Sequence, residues 1–176
     1  AAFGRAQLAK FSTYFNTVRE NARVLLQQLA DTPGLILPRE PQGFTHNWYN
    51  VCPRIDMAAL GWNGDPVLMR AAVVEAIQAE GVPVSIWQRF ILPEMTVFQA
   101  KNAYGGGFPW SIPGADNGVD YNPAHFPVAR KHCDTYFAMV MPLRAPNTAD
   151  TAMRVAEAIS KVMANSDQLK PDRNSQ

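Results

Sequence analysis

The chain has 176 residues, of which 47% are hydrophobic, so it is long enough to bury one core, and its length favours a single domain. Its 16 basic and 15 acidic residues nearly cancel, so no broad electrostatic field would draw it to nucleic acid or to an anionic membrane. The sequence has no apolar run near the roughly 20 residues of a membrane span and no signal-peptide pattern, which predicts a cytoplasmic protein.

A long amphipathic helix is predicted at the N-terminus. From Leu8 to Leu29 apolar residues recur at alternating steps of three and four, which places one apolar stripe on a helix over residues 6–31. Pro33 and Gly34 then end the helix, because Pro lacks an amide hydrogen and Gly tolerates a left-handed turn. The chain begins without Met and runs directly into this pattern, which is typical of a cut end of a longer protein.

Two strands and a second helix are predicted next. Residues 35–37 form a short apolar run, and residues 47–52 are aromatic and β-branched, so both segments are expected to be strands. Asp65 and Pro66 supply an N-cap and a first helical residue. The apolar stripe that follows them ends at Gly81, which predicts a helix between these points.

A third extended segment, residues 82–87, leads into a long irregular loop over residues 88–123 that is rich in Gly, Pro and aromatic residues. Such a loop inside a compact domain is usually functional, and its aromatic content argues against disorder. Three glycines at 105–107 are predicted to form a sharp turn rather than a phosphate-binding loop, because no helix follows them. The large rings are expected either to pack as a satellite core or to line a ligand site; they are Trp87, Tyr104, Phe108 and Trp110.

The C-terminal part is predicted to contain a short helix over 126–134, a buried strand over 136–141 and a last amphipathic helix that begins at the N-cap Asn147. A polar tail over 166–176 is expected to be disordered. The order of elements predicts an α+β fold in which a small, mainly antiparallel sheet is covered by helices.

The sequence offers few residues for metal binding or nucleophilic catalysis. The three histidines and two cysteines are too few and too scattered to predict a metal site. A Cys–His nucleophile pair that forms only in three dimensions stays open, although no hydrolase signature is present. Cys52 and Cys133 are predicted to be thiols without a disulfide, because the chain carries no secretory signal.

Six short segments of the chain together resemble the DegT/DnrJ/EryC1/StrS family of fold-type-I aminotransferases. They are, in chain order, Ala2-Phe3-Gly4-Arg5-Ala6-Gln7-Leu8, Arg19-x-Asn21-Ala22-x-x-Leu25, Gly81-Val82-Pro83-Val84-x-x-Trp87-Gln88, Val97-Phe98-Gln99, Tyr104-Gly105-x-Gly107-x-Pro109-Trp110 and Phe126-Pro127-Val128-Ala129. Each segment is weakly specific alone, but their order and spacing are similar to the branch that aminates keto-inositols, the glutamine:scyllo-inosose aminotransferases. The resemblance spans residues 1–165.

This resemblance implies the small C-terminal domain of an aminotransferase, with residues 6–31 as the long interdomain helix. It implies transfer of an amino group from glutamine or glutamate to a keto-sugar or keto-cyclitol through pyridoxal phosphate, in a homodimer. The family holds the cofactor and its Schiff-base lysine in a larger N-terminal domain, and none of the five lysines here has the context of that lysine. No catalytic or cofactor-binding residue is therefore assigned, and this chain alone is expected to be inactive.

The same resemblance suggests that this domain lines one side of the substrate cleft. Trp87 and Tyr104 are candidates to stack on the apolar face of a cyclitol, and Gln88 and Asn102 to bond its hydroxyls. Gln88 departs from the family's commoner aromatic and His pattern, which favours a polyol over a nucleotide-linked sugar. Simple packing of the loop on the sheet is an equal alternative for each residue.

Two other functions remain open from the sequence. One is a sugar dehydratase or a regulator built on the same pyridoxal phosphate fold, which only the upstream lysine would distinguish. The other is a non-catalytic binding module or partner subunit that completes a separately encoded large domain. The absence of an initiator Met disfavours this second alternative.

Overall fold

The computed structural model describes residues 1–115 and 118–170. The chain divides into two compact units, one formed by Ala1–Trp87 with Thr135–Gln176 and one formed by Gln88–Asp134. The helices and strands are, in chain order, α1 (Ala2–Gln28), β1 (Leu35–Ile36), β2 (Arg54–Ile55), α2 (Pro66–Ala79), β3 (Val84–Ser85), α3 (Thr96–Gln99), α4 (Pro127–Thr135), β4 (Ala138–Met139) and α5 (Ala149–Ala164).

The strands of the first unit form two short antiparallel pairs. Leu35 pairs with Ile55 in the β1–β2 pair, and Val84 pairs with Met139 in the β3–β4 pair. Isolated antiparallel bridges, such as that between Val51 and Met139, connect the two pairs. The antiparallel arrangement agrees with the prediction, but the single sheet expected from the sequence is divided into two pairs of two residues per strand.

The hydrophobic core of the first unit lies where α1, α2 and α5 pack together against these strands. Each helix contributes fully buried side chains from its apolar stripe, such as Leu25, Val73 and Ile159, and the strand region contributes Phe137 and Met139. The predicted N-cap of α2 is confirmed, because the Asp65 carboxylate accepts a hydrogen bond from the Val67 amide at 2.8 Å. The 3.6-residue apolar period therefore located the three packing helices correctly.

The predicted strand over residues 47–52 is wrong. Trp48 has a left-handed φ of 49° and is buried, and its amide donates to Nδ1 of His46 at 2.8 Å. The next amide, that of Tyr49, donates to the Asn47 side-chain oxygen at 3.0 Å. Because these local side chains take up the backbone donors, the segment cannot form a ladder until Val51.

Both ends of the last helix also differ from the predictions. Thr148, not Asn147, is the N-cap of α5, and the side-chain amide of Asn147 instead donates to the Met141 carbonyl at 3.0 Å. Beyond the helix, Ser166–Leu169 form a 3-10 turn in which Ser166 is buried, so the expected disordered tail does not begin at 166. The prediction for residues 171–176 lies outside the described residues.

Asn21 links α1 to the segment that precedes α5. Its buried side-chain amide donates to the carbonyls of Leu143 and Asn147, both at 3.0 Å. We expect Asn21→Ala to lower the free energy of unfolding by about 1–3 kcal/mol, because two carbonyls lose their donor in a buried site. Urea unfolding followed by circular dichroism measures this loss, and a change below about 0.5 kcal/mol, typical of surface sites, would contradict it.

None of the helices in the described part of the chain has both the length and the apolar content to cross a membrane.

Candidate functional site

The four predicted substrate residues fall in different units. Trp87 is the last residue of the first stretch of one unit, whereas Gln88, Asn102 and Tyr104 belong to the unit Gln88–Asp134. The prediction that the four residues bind one substrate stays a prediction.

Trp87 lies in an exposed cluster of side chains with Tyr49 and Arg144, which we call the ring cluster. The Tyr49 and Trp87 rings meet edge to face with centroids 6.5 Å apart, and each residue is 56% exposed. The guanidinium carbon of Arg144 lies 4.9 Å from the centroid of the Tyr49 ring. The cluster therefore offers two large rings and one cation on the same surface.

The strand pairing explains why residues so distant in sequence meet in the ring cluster. Met139 pairs with Val84 on one side and bridges to Val51 on the other. Trp87 comes three residues after Val84, and Tyr49 comes two residues before Val51. Arg144 follows β4 and the 3-10 turn Met141–Leu143, and its amide donates to the Met141 carbonyl at 3.2 Å.

The backbone at Gln88 and Arg89 is held by α4 of the same unit. The Cys133 thiol donates to the Gln88 carbonyl at 3.3 Å, and Nη2 of Arg130 donates to the Arg89 carbonyl at 3.3 Å. Gln88 itself is exposed. Cys133 and Arg130 of α4 therefore fix the backbone that carries the Gln88 side chain.

Arg130 makes most of the hydrogen bonds that hold this segment, and we call it the Arg130 hub. Its guanidinium donates to the Glu94 carboxylate at 2.7 Å and to both carboxylate oxygens of Asp134, at 2.9 and 2.5 Å. Glu94 in turn accepts the Ile91 amide at 3.1 Å. The hydrogen bond from Arg130 lowers the pKa of Glu94, and the Asp134 and Glu94 carboxylates raise the pKa of Arg130.

Asn102 stabilises a turn of its own loop. Its side-chain oxygen accepts the amides of Gly105 at 2.8 Å and Gly107 at 3.2 Å. Gly105, Gly106 and Gly107 all have positive φ, at 94°, 59° and 76°, which confirms the predicted sharp turn. An oxygen that already accepts two amides has less capacity for a ligand hydroxyl, so the structure favours a packing role for this atom.

The loop rings divide between an exposed pair and a partly buried group. Tyr104 is 84% exposed and meets Phe108 edge to face at 5.8 Å. Phe98, Trp110 and Tyr121 pack together with centroids 5.3–6.3 Å apart, and the Trp110 indole donates to the Tyr121 hydroxyl at 3.1 Å. A satellite core is therefore present in Phe98, Trp110 and Tyr121, and a ligand-site role for the exposed rings stays a prediction.

An open pocket of about 470 Å³ lies beside this satellite core. Phe98 and Tyr121 form its apolar wall, and Gln99 donates to the Tyr121 carbonyl at 2.9 Å. Lys101 and Asp120 also line the pocket. The pocket borders Gly118, next to residues outside the described part of the chain.

The described residues do not fit pyridoxal phosphate. The cofactor needs a lysine whose amine is desolvated or lies beside another cation. None of the five lysines is buried, and Lys161 and Lys170 are paired with the carboxylates of Glu80 and Asp167. In residues 1–115 and 118–170 no three His, Cys, Asp or Glu side chains form a group that could hold a metal ion.

The sequence did not point to Tyr49, Arg144 or Arg130. Tyr49 was not selected because it lay within the strand predicted over 47–52, although Asn47 two residues earlier is a typical signal for a local turn. Arg144 carries no local motif. Arg130 and Asp134 have the i,i+4 spacing of a helical ion pair, but nothing in the sequence connects them to Glu94.

Comparison with known proteins places this fold. No protein-family model and no curated protein matches the sequence. The structure is similar to DesV of S. venezuelae, determined in complex with a ketimine intermediate, with a TM-score of 0.63 and 15% identity over 90% of this chain. It is also similar to an aminotransferase from Psychrobacter cryohalolentis, with a TM-score of 0.62 and 22% identity over 93% of this chain. The chain has the fold of part of an aminotransferase.

The matched region is a minor part of both neighbours. This chain spans 34% of the DesV chain and 38% of the Psychrobacter aminotransferase chain. Because both identities are under 25%, the likeness establishes the fold and leaves the chemistry to be argued from the residues.

Proposed function

We propose that this chain is the C-terminal part of a pyridoxal phosphate-dependent aminotransferase of the DegT/DnrJ/EryC1/StrS family. The intact protein would move an amino group from glutamine or glutamate to a keto-sugar or keto-cyclitol. The observation that carries this proposal is the fold match, which covers at least 90% of this chain but only 34–38% of each neighbour. An N-terminal large domain would hold the cofactor, and the intact protein would be a homodimer.

The exposed face of α1 supports a missing partner domain. Phe3, Leu8 and Phe11 are 78%, 73% and 56% exposed on the first part of this helix. Large apolar side chains grouped on one surface usually mark a contact with another protein surface. The large domain of the proposed enzyme is the partner that would cover them.

In this proposal the described residues bind and orient the substrate. Trp87 would offer a ring face for the apolar side of a sugar or cyclitol in its own unit. In the other unit, Tyr104 would offer a ring face and Gln88 an amide for hydroxyls. The chemistry of amino transfer belongs to pyridoxal phosphate, which the residues of this chain do not hold. Its own residues therefore control substrate choice rather than the transfer step.

The first test asks whether the 176-residue chain captures the cofactor. The chain is incubated with pyridoxal phosphate, reduced with borohydride and mapped by mass spectrometry. We expect low labelling spread over the lysines, none of which is buried, and no transamination of a keto-cyclitol. Stoichiometric labelling of one lysine together with turnover would refute the proposed division of labour.

The second test uses the longer protein that contains this chain. We expect that protein to absorb as an internal aldimine, to sediment as a dimer and to transaminate, and to lose turnover when residues 1–176 are removed. A longer protein with the cofactor but with water elimination instead of transamination would favour the dehydratase. A natural product of 176 residues without colour would favour the non-catalytic partner subunit.

A further inference from the structure

The ring cluster of Tyr49, Trp87 and Arg144 carries a charge that a neutral substrate would not use. Arg144 is partly buried and stacks on Tyr49, but no carboxylate of residues 1–115 and 118–170 forms an ion pair with it. Arg19, Arg23 and Arg130 each have a carboxylate partner. The guanidinium of Arg144 is therefore able to donate hydrogen bonds to a carboxylate or phosphate of a ligand.

The position of this cation is built into the fold. Leu143, the preceding residue, is fully buried, and the Asn147 amide donates to the Arg144 carbonyl at 3.0 Å. The Asn147 side chain also bonds the Met141 carbonyl at 3.0 Å, which closes the turn that carries Arg144. A guanidinium that is stacked on a ring loses less conformational entropy when it binds an oxyanion than one that is fully solvated.

The two rings define the other half of the ligand. Tyr49 and Trp87 are both more than half exposed, and their edge-to-face contact leaves ring surface available to solvent. Ring faces of Trp and Tyr pack well against the apolar face of a sugar ring.

We propose that the ring cluster binds an anionic carbohydrate, with the sugar ring against Trp87 and Tyr49 and its carboxylate or phosphate on Arg144. This assigns the substrate a negative charge, which differs from the neutral polyol that Gln88 suggests from the sequence. As an account of substrate choice the inference rests on the proposed function. The binding itself involves no transfer step and is measured without pyridoxal phosphate.

The test is a titration of the 176-residue chain followed by tryptophan fluorescence and by the amide NMR signals of residues 49, 87 and 144. The probes are glucuronate, glucose 1-phosphate, neutral myo-inositol and inorganic phosphate. We expect saturable binding of glucuronate, glucose 1-phosphate or both, with half-saturation on the order of 1 mM. Myo-inositol should bind at least about tenfold more weakly, because it makes no charge-assisted bond to Arg144.

The matched variants are Arg144→Gln and Arg154→Gln. Arg154 is an exposed arginine on α5, so its replacement removes the same charge without touching the ring cluster. We expect Arg144→Gln to weaken binding of the anionic probe about tenfold and Arg154→Gln to leave it within about twofold. Arg144→Lys keeps the charge but loses the planar stack and should give an intermediate value.

The two anionic probes distinguish the source of the oxyanion. Tighter glucuronate assigns the subsite to a sugar carboxylate, and tighter glucose 1-phosphate assigns it to a sugar phosphate. Equal binding of myo-inositol and the anionic probes, equal effects of the two Gln variants, or no saturable binding would each overturn the inference. Circular dichroism of every variant verifies that the fold is retained. A chain that binds an anionic sugar although the longer protein fails to transaminate keeps this inference and refutes only the proposed function.

Discussion

Replacing Arg130 by Met is expected to open the unit Gln88–Asp134 to protease. The change removes hydrogen bonds to Glu94 at 2.7 Å and to Asp134 at 2.5 and 2.9 Å, and leaves two partly buried carboxylates unpaired. We expect a loss of about 2 kcal/mol in the free energy of local opening, since bonds to charged groups contribute about 1.5–3 kcal/mol. That loss corresponds to roughly 30-fold faster cleavage between residues 88 and 134 when opening precedes cleavage.

Arg39→Met is the matched control, because Arg39 is exposed and lies in the other unit. Limited proteolysis with mass spectrometry of the fragments measures both variants. Reaction of the buried Cys133 thiol with a thiol reagent gives a second readout. The thiol donates a hydrogen bond to the Gln88 carbonyl, so opening of this segment exposes it. Equal cleavage rates and equal thiol reactivity in the two variants would show that Arg130 does not hold this segment.

The Arg130–Glu94 pair also predicts a pH dependence. Its hydrogen bond lowers the pKa of Glu94 in the folded chain, so the folded state binds that proton less readily than the unfolded chain, where the pKa is about 4.3. The stabilisation is therefore complete above about pH 4.3 and is lost as the pH falls through the lowered pKa. Cleavage by a protease that is active in acid measures this effect. Over this pH range the native chain should become more susceptible to cleavage, and the susceptibility of Arg130→Met should change much less.

Replacing Phe137 by Ala is expected to have the largest effect on the first unit. Phe137 is the largest of the fully buried side chains and belongs to the core that α1, α2 and α5 cover. Its truncation should cost about 3–5 kcal/mol, because it removes buried apolar area and leaves a cavity. For a chain of this size that loss lowers the midpoint of thermal unfolding by roughly 6–20 °C.

Phe44→Ala supplies the control for this experiment, since Phe44 is 72% exposed and the same atoms are removed. Its effect should stay within about 0.5 kcal/mol. Phe137→Leu should fall between Phe137→Ala and the native chain, because it leaves a smaller cavity. Thermal unfolding of each variant is followed by near-ultraviolet circular dichroism. An equal destabilisation by the two alanine variants would contradict the assignment of Phe137 to the core.

The candidate site was accessible to sequence reasoning only in part. Trp87 and Tyr104 were predicted because large rings in a Gly-rich and Pro-rich segment are conspicuous, and both are exposed. Asn102 was assigned to a substrate, yet its oxygen accepts two glycine amides, a pairing that depends on how the loop closes. Arg144 could not be predicted, because it joins the ring cluster only through its contact with Tyr49, which lies 95 positions away in the sequence.

The amino-acid sequence by itself determined the local structure that depends on neighbours a few residues apart. The apolar period located α1, α2 and α5, the Asp65 cap placed the start of α2, and three consecutive glycines predicted a sharp turn. The tertiary structure alone decided which distant side chains meet, as at the Arg130 hub and in the ring cluster. The physical reason is that helix periods and caps are set by short-range hydrogen bonds, whereas strand pairing and ion pairs join residues whose separation carries no local signal.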